Sequence, residues 1–198
     1  MASLCESLKN EHRIIERVLN ALSAETDRLD NGAPPNGIFI LSAIAFIRQF
    51  ADGLHHKKEE QILYPRLQAA GLPGSDGPIG VMLTEHHEGR QHIDAIENIL
   101  DAALSGDTVA IQNVSYSLRR CVSVLQQNIE EEDQILYPMA EQLLGDTQKV
   151  EILAAFRNAD IADGELVRRE TAWAESLGQT PVAVPVTEPV DEPEWALA

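Results

Sequence analysis

Apolar residues recur three and four positions apart along most of the chain. Leu4, Leu8, Ile15, Leu19 and Leu22 set a helical stripe over residues 4–29, and Asn31-Gly-Ala-Pro-Pro-Asn-Gly37 breaks it. The same spacing predicts a second helix from about Ile38 to Ala70, with Pro65 near its end as a kink or stop. Gly71-Leu-Pro-Gly-Ser-Asp-Gly-Pro78 reads as a loop. A third helix follows over about Ile79–Leu104 on the stripe Ile79, Met82, Ile93, Ile96 and Leu100. Ser105-Gly106 ends it, and Asp107 or Thr108 is placed to cap a fourth over about 109–143, where Ile111, Val114, Leu118, Cys121, Leu125 and Ile135 share a face. A weaker helical pattern covers 147–177, and strand-like alternation appears nowhere at useful length. The expected fold is all-α: an up-down-up-down four-helix bundle over 1–145 with one extra C-terminal helix, over 146–178, packed on it. From residue 179 on, prolines recur at 181, 185, 189 and 193 among acids with no Lys or Arg, which predicts a disordered tail.

An internal repeat organises these helices. His55-His-Lys-Lys-Glu-Glu-Gln-Ile-Leu-Tyr-Pro65 aligns with Asn128-Ile-Glu-Glu-Glu-Asp-Gln-Ile-Leu-Tyr-Pro138, so that Glu59 falls on Glu132 and Glu60 on Asp133. Glu11-His12 likewise matches Glu85-His86. Two copies of a helical hairpin, related by an approximate two-fold axis, account for the pattern.

The polar residues of the repeat sit where water should be excluded. His12 continues the first stripe between Leu8 and Ile15. His86 follows Met82 by one turn, His55 and Glu59 lie between Ala51 and Ile62, and Asn128 and Glu132 lie between Leu125 and Ile135. A lone core histidine is usually just hydrogen-bonded, an i,i+4 polar pair is common on exposed helices, and an acidic run such as Glu130–Asp133 is ordinarily a solvated face. Joint occurrence on four stripes outweighs those readings. Burying ionised carboxylates without partners costs several kcal/mol each, and a cation held by both glutamates and the imidazoles removes the conflict. Three histidines and two glutamates form a borderline nitrogen/oxygen set suited to iron, manganese or zinc rather than calcium or magnesium. A ferritin-type centre would need Glu-x-x-His pairs, and no Glu here has His three residues later.

Composition narrows the functional classes. The 198 residues carry 15 Lys+Arg against 32 Asp+Glu, a formal charge of −17, which repels phosphate backbones and anionic lipid surfaces and argues against nucleic-acid or membrane partners. No apolar run suggests a transmembrane span, and the start, MASLCESLKNEHR, is too polar for a signal peptide. Cys5 and Cys121 form no disulfide framework, so reduced thiols and a cytoplasmic location are expected, with Cys121 a core residue and Cys5 near a mobile end. His87 and His92 read as flanking residues.

The motifs Asn10-Glu-His-Arg13, His55 to Pro65, Gly77 to His86 with Gly89-Arg90, and Ile129 to Pro138 come in an order that resembles the hemerythrin family, specifically its bacterial cation-binding branch, over about residues 4–144. The resemblance implies a four-helix bundle holding a non-haem di-iron centre that meets O2, NO or peroxide. Its ligands would be His12, His55, Glu59, His86 and Glu132, with the two glutamates bridging and His56 as an extra ligand. Arg90 stands where oxygen-carrying hemerythrins have a second third-helix histidine. Asn128 stands where the family has histidine, which leaves one metal position short of a nitrogen donor. Reversible binding or sensing, iron storage, an enzyme of peroxide breakdown or iron-centre repair, and a bundle with a single metal all use the same residues.

Overall fold

The computed structural model describes residues 3–177, and the Pro-rich segment with Trp195 lies outside them. Helix α1 spans Glu6–Asp30, α2 spans Gly37–Ala69, and α3 spans Pro78–Leu104. Helix α4 runs from Thr108–Glu131 through a π-helical turn, Glu132–Leu136, into Tyr137–Leu143. The starts follow local chemistry: the Asn36 side chain accepts from the Phe39 amide at 3.2 Å, and Asp107 accepts from the Ala110 amide at 2.9 Å. Gly32 and Gly106 end α1 and α3 at φ +81° and +92°, a conformation nearly free of cost only for glycine. The four helices alternate in direction and close a ring, α1 packing on α2 and α4, and α3 on α2 and α4.

Pro65 does not stop α2, which continues to Ala69. The helix widens just before it, so that the Tyr64 amide donates to the carbonyl of Glu59 five residues back rather than four. The wider turn accommodates a ring that would otherwise clash with the carbonyl four residues back. The same device precedes Pro138, where the Tyr137 amide donates to Glu132. These two turns begin at the two inward glutamates, and a longer π-helical stretch, Ile47–His56, precedes the first and carries His55 and His56.

Instead of one C-terminal helix there are two, α5 (Asp146–Ala162) and α6 (Gly164–Ser176), broken at Asp163-Gly164. They cover different parts of the bundle. Ile152 and Phe156 of α5 join a cluster with Leu4, Leu8, Leu63, Tyr64, Leu67, Ile79, Met82, Leu136 and Tyr137. Ala174 of α6, with Trp173 beside it, joins a second cluster built on Ile15, Leu19, Phe46, Phe50, Leu54, Ile93, Leu118 and Leu125. On every bundle helix the inward polar residues fall between the segments that feed these two clusters.

Two expectations change. Cys5 is fully buried in the first cluster rather than loose, and burial pushes its thiol far up; Cys121, in the second, is pushed up to about 12. Helix α2 is by length and composition apolar enough to cross a membrane, with a window of mean hydropathy 1.5, against the expectation that no segment would be. Its Ile40, Ala43, Phe46, Phe50 and Leu54 are spent on the bundle core instead.

Candidate metal centre

Between the two apolar clusters, His12, His55, His56, Glu59, His86 and Glu132 meet, each no more than 4% exposed. They fall into two groups whose candidate donor atoms lie within 4.8 Å of one another: His12, His55, Glu59 and Glu132 in one, His56, Glu59 and His86 in the other. Glu59 belongs to both. Its Oε2 is 3.6 Å from Nε2 of His55 and 3.6 Å from Nε2 of His86. Glu132 spans the same gap, with Oε2 3.2 Å from Nε2 of His12 and Oε1 3.8 Å from Nε2 of His86.

The outer nitrogen of three rings is held by a carboxylate from another helix. Nδ1 of His12 meets Asp133 at 2.9 Å, Nδ1 of His55 meets Glu11 at 2.9 Å, and Nδ1 of His86 meets Glu60 at 2.9 Å. A proton kept on Nδ1 by a carboxylate leaves the Nε2 lone pair facing inward, which is how metal-binding histidines are commonly oriented. Tyr64 donates to Glu132 at 2.6 Å, and Tyr137 donates to Glu59 at 2.5 Å, so each tyrosine steadies the carboxylate of the opposite repeat.

Donor chemistry and geometry fit a metal. Nε2 of His55 and His86 and Oε2 of Glu59 are buried with no hydrogen-bond partner, and Nδ1 of His56 is buried facing Asp52 at 3.5 Å. Such atoms cost about 1–3 kcal/mol each when left alone in a protein interior, and one cation in each donor group, sharing Glu59, would satisfy them.

Electrostatics point the same way. Burial, then the charge of Glu132, pushes Glu59 far up, so it keeps a proton. Burial also works to raise Glu132, but the imidazoles of His12 at 3.2 Å and His86 at 3.8 Å outweigh it and hold Glu132 well down. Without a metal the pair therefore shares protons as closely placed buried carboxylates do. Burial, with the neighbouring His86, pushes His56 down to about 3, which leaves a neutral imidazole with a free lone pair.

Sequence reasoning missed the carboxylates and tyrosines around this core. Glu11, Glu60, Asp133, Tyr64 and Tyr137 all lie within or beside the repeated segments, and the repeat was the signal that could have found them. Asn128 turns its side-chain amide toward α3. Its amide donates to Oε2 of Glu85 at 3.3 Å and to Sδ of Met82 at 3.3 Å. Glu85 is the repeat counterpart of Glu11, so the carboxylate that would orient a histidine at 128 is present without the histidine. His87 is exposed, and His92 sits at 3.5 Å from Glu88 outside both groups. Arg90 donates to Asp52 at 2.7 Å and to Glu60 at 2.6 Å, an outer support for the His86 pair.

Glu85 yields a pH signature. Burial, then the charge of Glu131, pushes it up to about 8 from an ordinary 4.5. The folded metal-free protein thus keeps a proton that the unfolded chain releases near 4.5, and the stability this group contributes at low pH is lost as pH rises through 8. In urea melts of metal-free protein at pH 5 and pH 8.5, Glu85→Gln should lose less stability between the two than the parent. Equal losses would contradict the assignment.

Comparison with known proteins places this arrangement. The sequence profile of the hemerythrin HHE cation-binding domain matches residues 3–140. The chain belongs to that family. Its HHE domain holds all six inward residues, and α5 and α6 lie beyond the matched span. The chain is similar to an uncharacterised protein of Mycobacterium tuberculosis (strain ATCC 25618 / H37Rv), 21% identical over 155 residues that take in 78% of this chain and 60% of the relative. It is also similar to the iron-sulfur cluster repair protein YtfE of Enterobacter sp. (strain 638), 25% identical over 134 residues, 67% of this chain and 60% of the relative. The YtfE of Musicola paradisiaca (strain Ech703) is 26% identical over 136 residues, 67% of this chain and 59% of the relative. The chain thus spans about 60% of the length of the curated relatives it matches. No solved structure matches it.

Proposed function

We propose that this HHE domain is a non-haem iron protein with a two-metal carboxylate/histidine centre that binds or senses a small oxidant or diatomic molecule (O2, NO or peroxide) or holds iron, in the cytoplasm. The observation that carries the reading is the convergence of buried, unpartnered donor atoms from α2 and α3 on Glu59, with His12 and Glu132 closing the other side. His12, His55, Glu59 and Glu132 would hold one ion. His56 and His86 would hold the second, with Glu59 and Glu132 reaching toward both. Manganese or zinc would fit the same donors, but the family resemblance favours iron. Bound iron would supply redox and Lewis-acid chemistry. The chain's own part is to exclude water with two apolar clusters, to fix the imidazoles through Asp133, Glu11 and Glu60, and to hold the carboxylates through Tyr64 and Tyr137.

Similarity to proteins named for iron-sulfur cluster repair favours a second reading, in which the centre acts in iron-centre repair or peroxide breakdown. Iron leaving the loaded protein for an acceptor cluster supports that reading, and reversible spectral change with O2 or NO without loss of iron supports the first.

The shared premise is tested by heat. A metal held only by the folded state at a hundred times its Kd stabilises it by about 2.7 kcal/mol, and at this chain length 1 kcal/mol moves Tm by roughly 2–4 °C. Chelation should therefore lower Tm by about 5–10 °C. An unchanged Tm after verified metal removal would overturn the metal's structural contribution.

A further inference from the structure

Lys58 is 1% exposed, an unusual place for an ammonium. Its Nζ lies between two carboxylates from other helices, Glu11 of α1 and Asp160 of α5, and 6.0 Å above the ring of Phe156 of α5. Glu11 in turn holds Nδ1 of His55 at 2.9 Å. A continuous chain, Asp160–Lys58–Glu11–His55, therefore runs from α5 to a donor of the first metal group. The repeat shows that this arrangement is an addition rather than part of the two-fold plan. The counterpart of Lys58 is Glu131, which sets a like charge near Glu85 instead of a cation on it. The family match ends at residue 140, six residues before α5 begins.

We propose that Lys58 and Asp160 are positioning residues, through which the added helix α5 aims His55 and sets how firmly the first metal position keeps its ion. This rests on the metal-binding reading above. Lys58 fixes one oxygen of Glu11 and leaves the other to accept from His55. Asp160 fixes Lys58. With Lys58 gone, Glu11 is free to turn away, and His55 loses the support that keeps its Nε2 toward Glu59. Loss of an orienting partner outside the ligand shell typically weakens metal binding 10–100-fold.

The test loads the full chain with cobalt(II), whose visible absorption reports ligand number and angle, and follows metal release to a chelator. Lys58→Met should speed release about 10-fold and change the cobalt spectrum, Asp160→Asn should do both to a smaller degree, and Lys58→Arg should restore both. Glu151→Gln is the control. It removes the Arg66–Glu151 pair, which also ties α5 to α2, at 2.9 Å, but lies on the surface away from His55. It should leave the spectrum and the release rate as in the parent. Asp160→Asn alone decides the matter if Lys58→Met fails to fold. Release and spectrum unchanged in the variants, or changed equally by Glu151→Gln, would overturn the link. A parent chain that takes up no cobalt or iron would instead overturn the metal-binding reading itself.

Discussion

Glu59→Ala will empty both metal positions at once, because among the described residues Glu59 is the side chain that belongs to both donor groups. Metal per chain should fall close to zero after purification without chelator, whereas His92→Ala, outside both groups, should leave it unchanged. Loss of fold would confuse that result, and Glu59→Gln removes the difficulty. In the metal-free protein Glu59 already keeps its proton, held up by burial and by Glu132, so a neutral amide of the same shape replaces a neutral acid. Its oxygen can still accept from Tyr137, which donates to Glu59 at 2.5 Å in the parent. The variant should therefore melt close to the metal-free parent and still fail to load. Equal metal losses in Glu59→Gln and His92→Ala would mean that the assignment of inward and flanking positions is wrong.

The second large effect concerns the broken half of the repeat. His56→Ala should take metal per chain from two toward one, since His56 supplies the second donor group with an imidazole that Asn128 does not. Its ring is buried, stacks on His86 at 3.7 Å and is backed by Asp52, 3.5 Å from its Nδ1. Adding Asn128→His to that variant should bring the second metal back. The new ring would find Glu85 where His55 finds Glu11, and imidazole is a far better iron donor than a carboxamide. Unchanged stoichiometry in His56→Ala would remove His56 from the centre. Failure of the double variant to recover would show that Glu85 does not orient a ring at 128.

The main helices, and the Asp107 cap of the fourth, were legible in the sequence because the apolar stripes are long and the breaks carry Gly, Pro and Asn. The inward His and Glu residues were legible for the same reason: each interrupts a stripe without changing its phase, and the repeat shows the interruption twice. What local pattern could not show was the response of the backbone to Pro65 and Pro138: each π-helical turn takes in one extra residue and shifts the buried stripe by one position, so that Leu63 and Leu136 are buried where the spacing pointed to Ile62 and Ile135. The outer carboxylates were hidden by their neighbours. Glu60 and Asp133 sit in acidic runs that look like solvated faces, and only the positions of α3 and α1 reveal that one oxygen of each turns inward to a histidine. Lys58 was least legible of all. A lysine next to the candidate ligand Glu59 in a charged run reads as surface until α5 is seen to bring Asp160 across it. The split between α5 and α6 follows from a weak stripe interrupted at Asp163-Gly164, where helix propensity is too low to carry the chain through.

The central claim is that two buried carboxylates and four histidines hold a pair of metal ions. Anaerobic titration of metal-free protein with iron(II), followed by calorimetry, tests it most directly. The account predicts two binding events per chain of unequal strength, the weaker one absent in His56→Ala and both absent in Glu59→Gln. Saturation at one ion per chain in the parent, or no uptake at all, would contradict it.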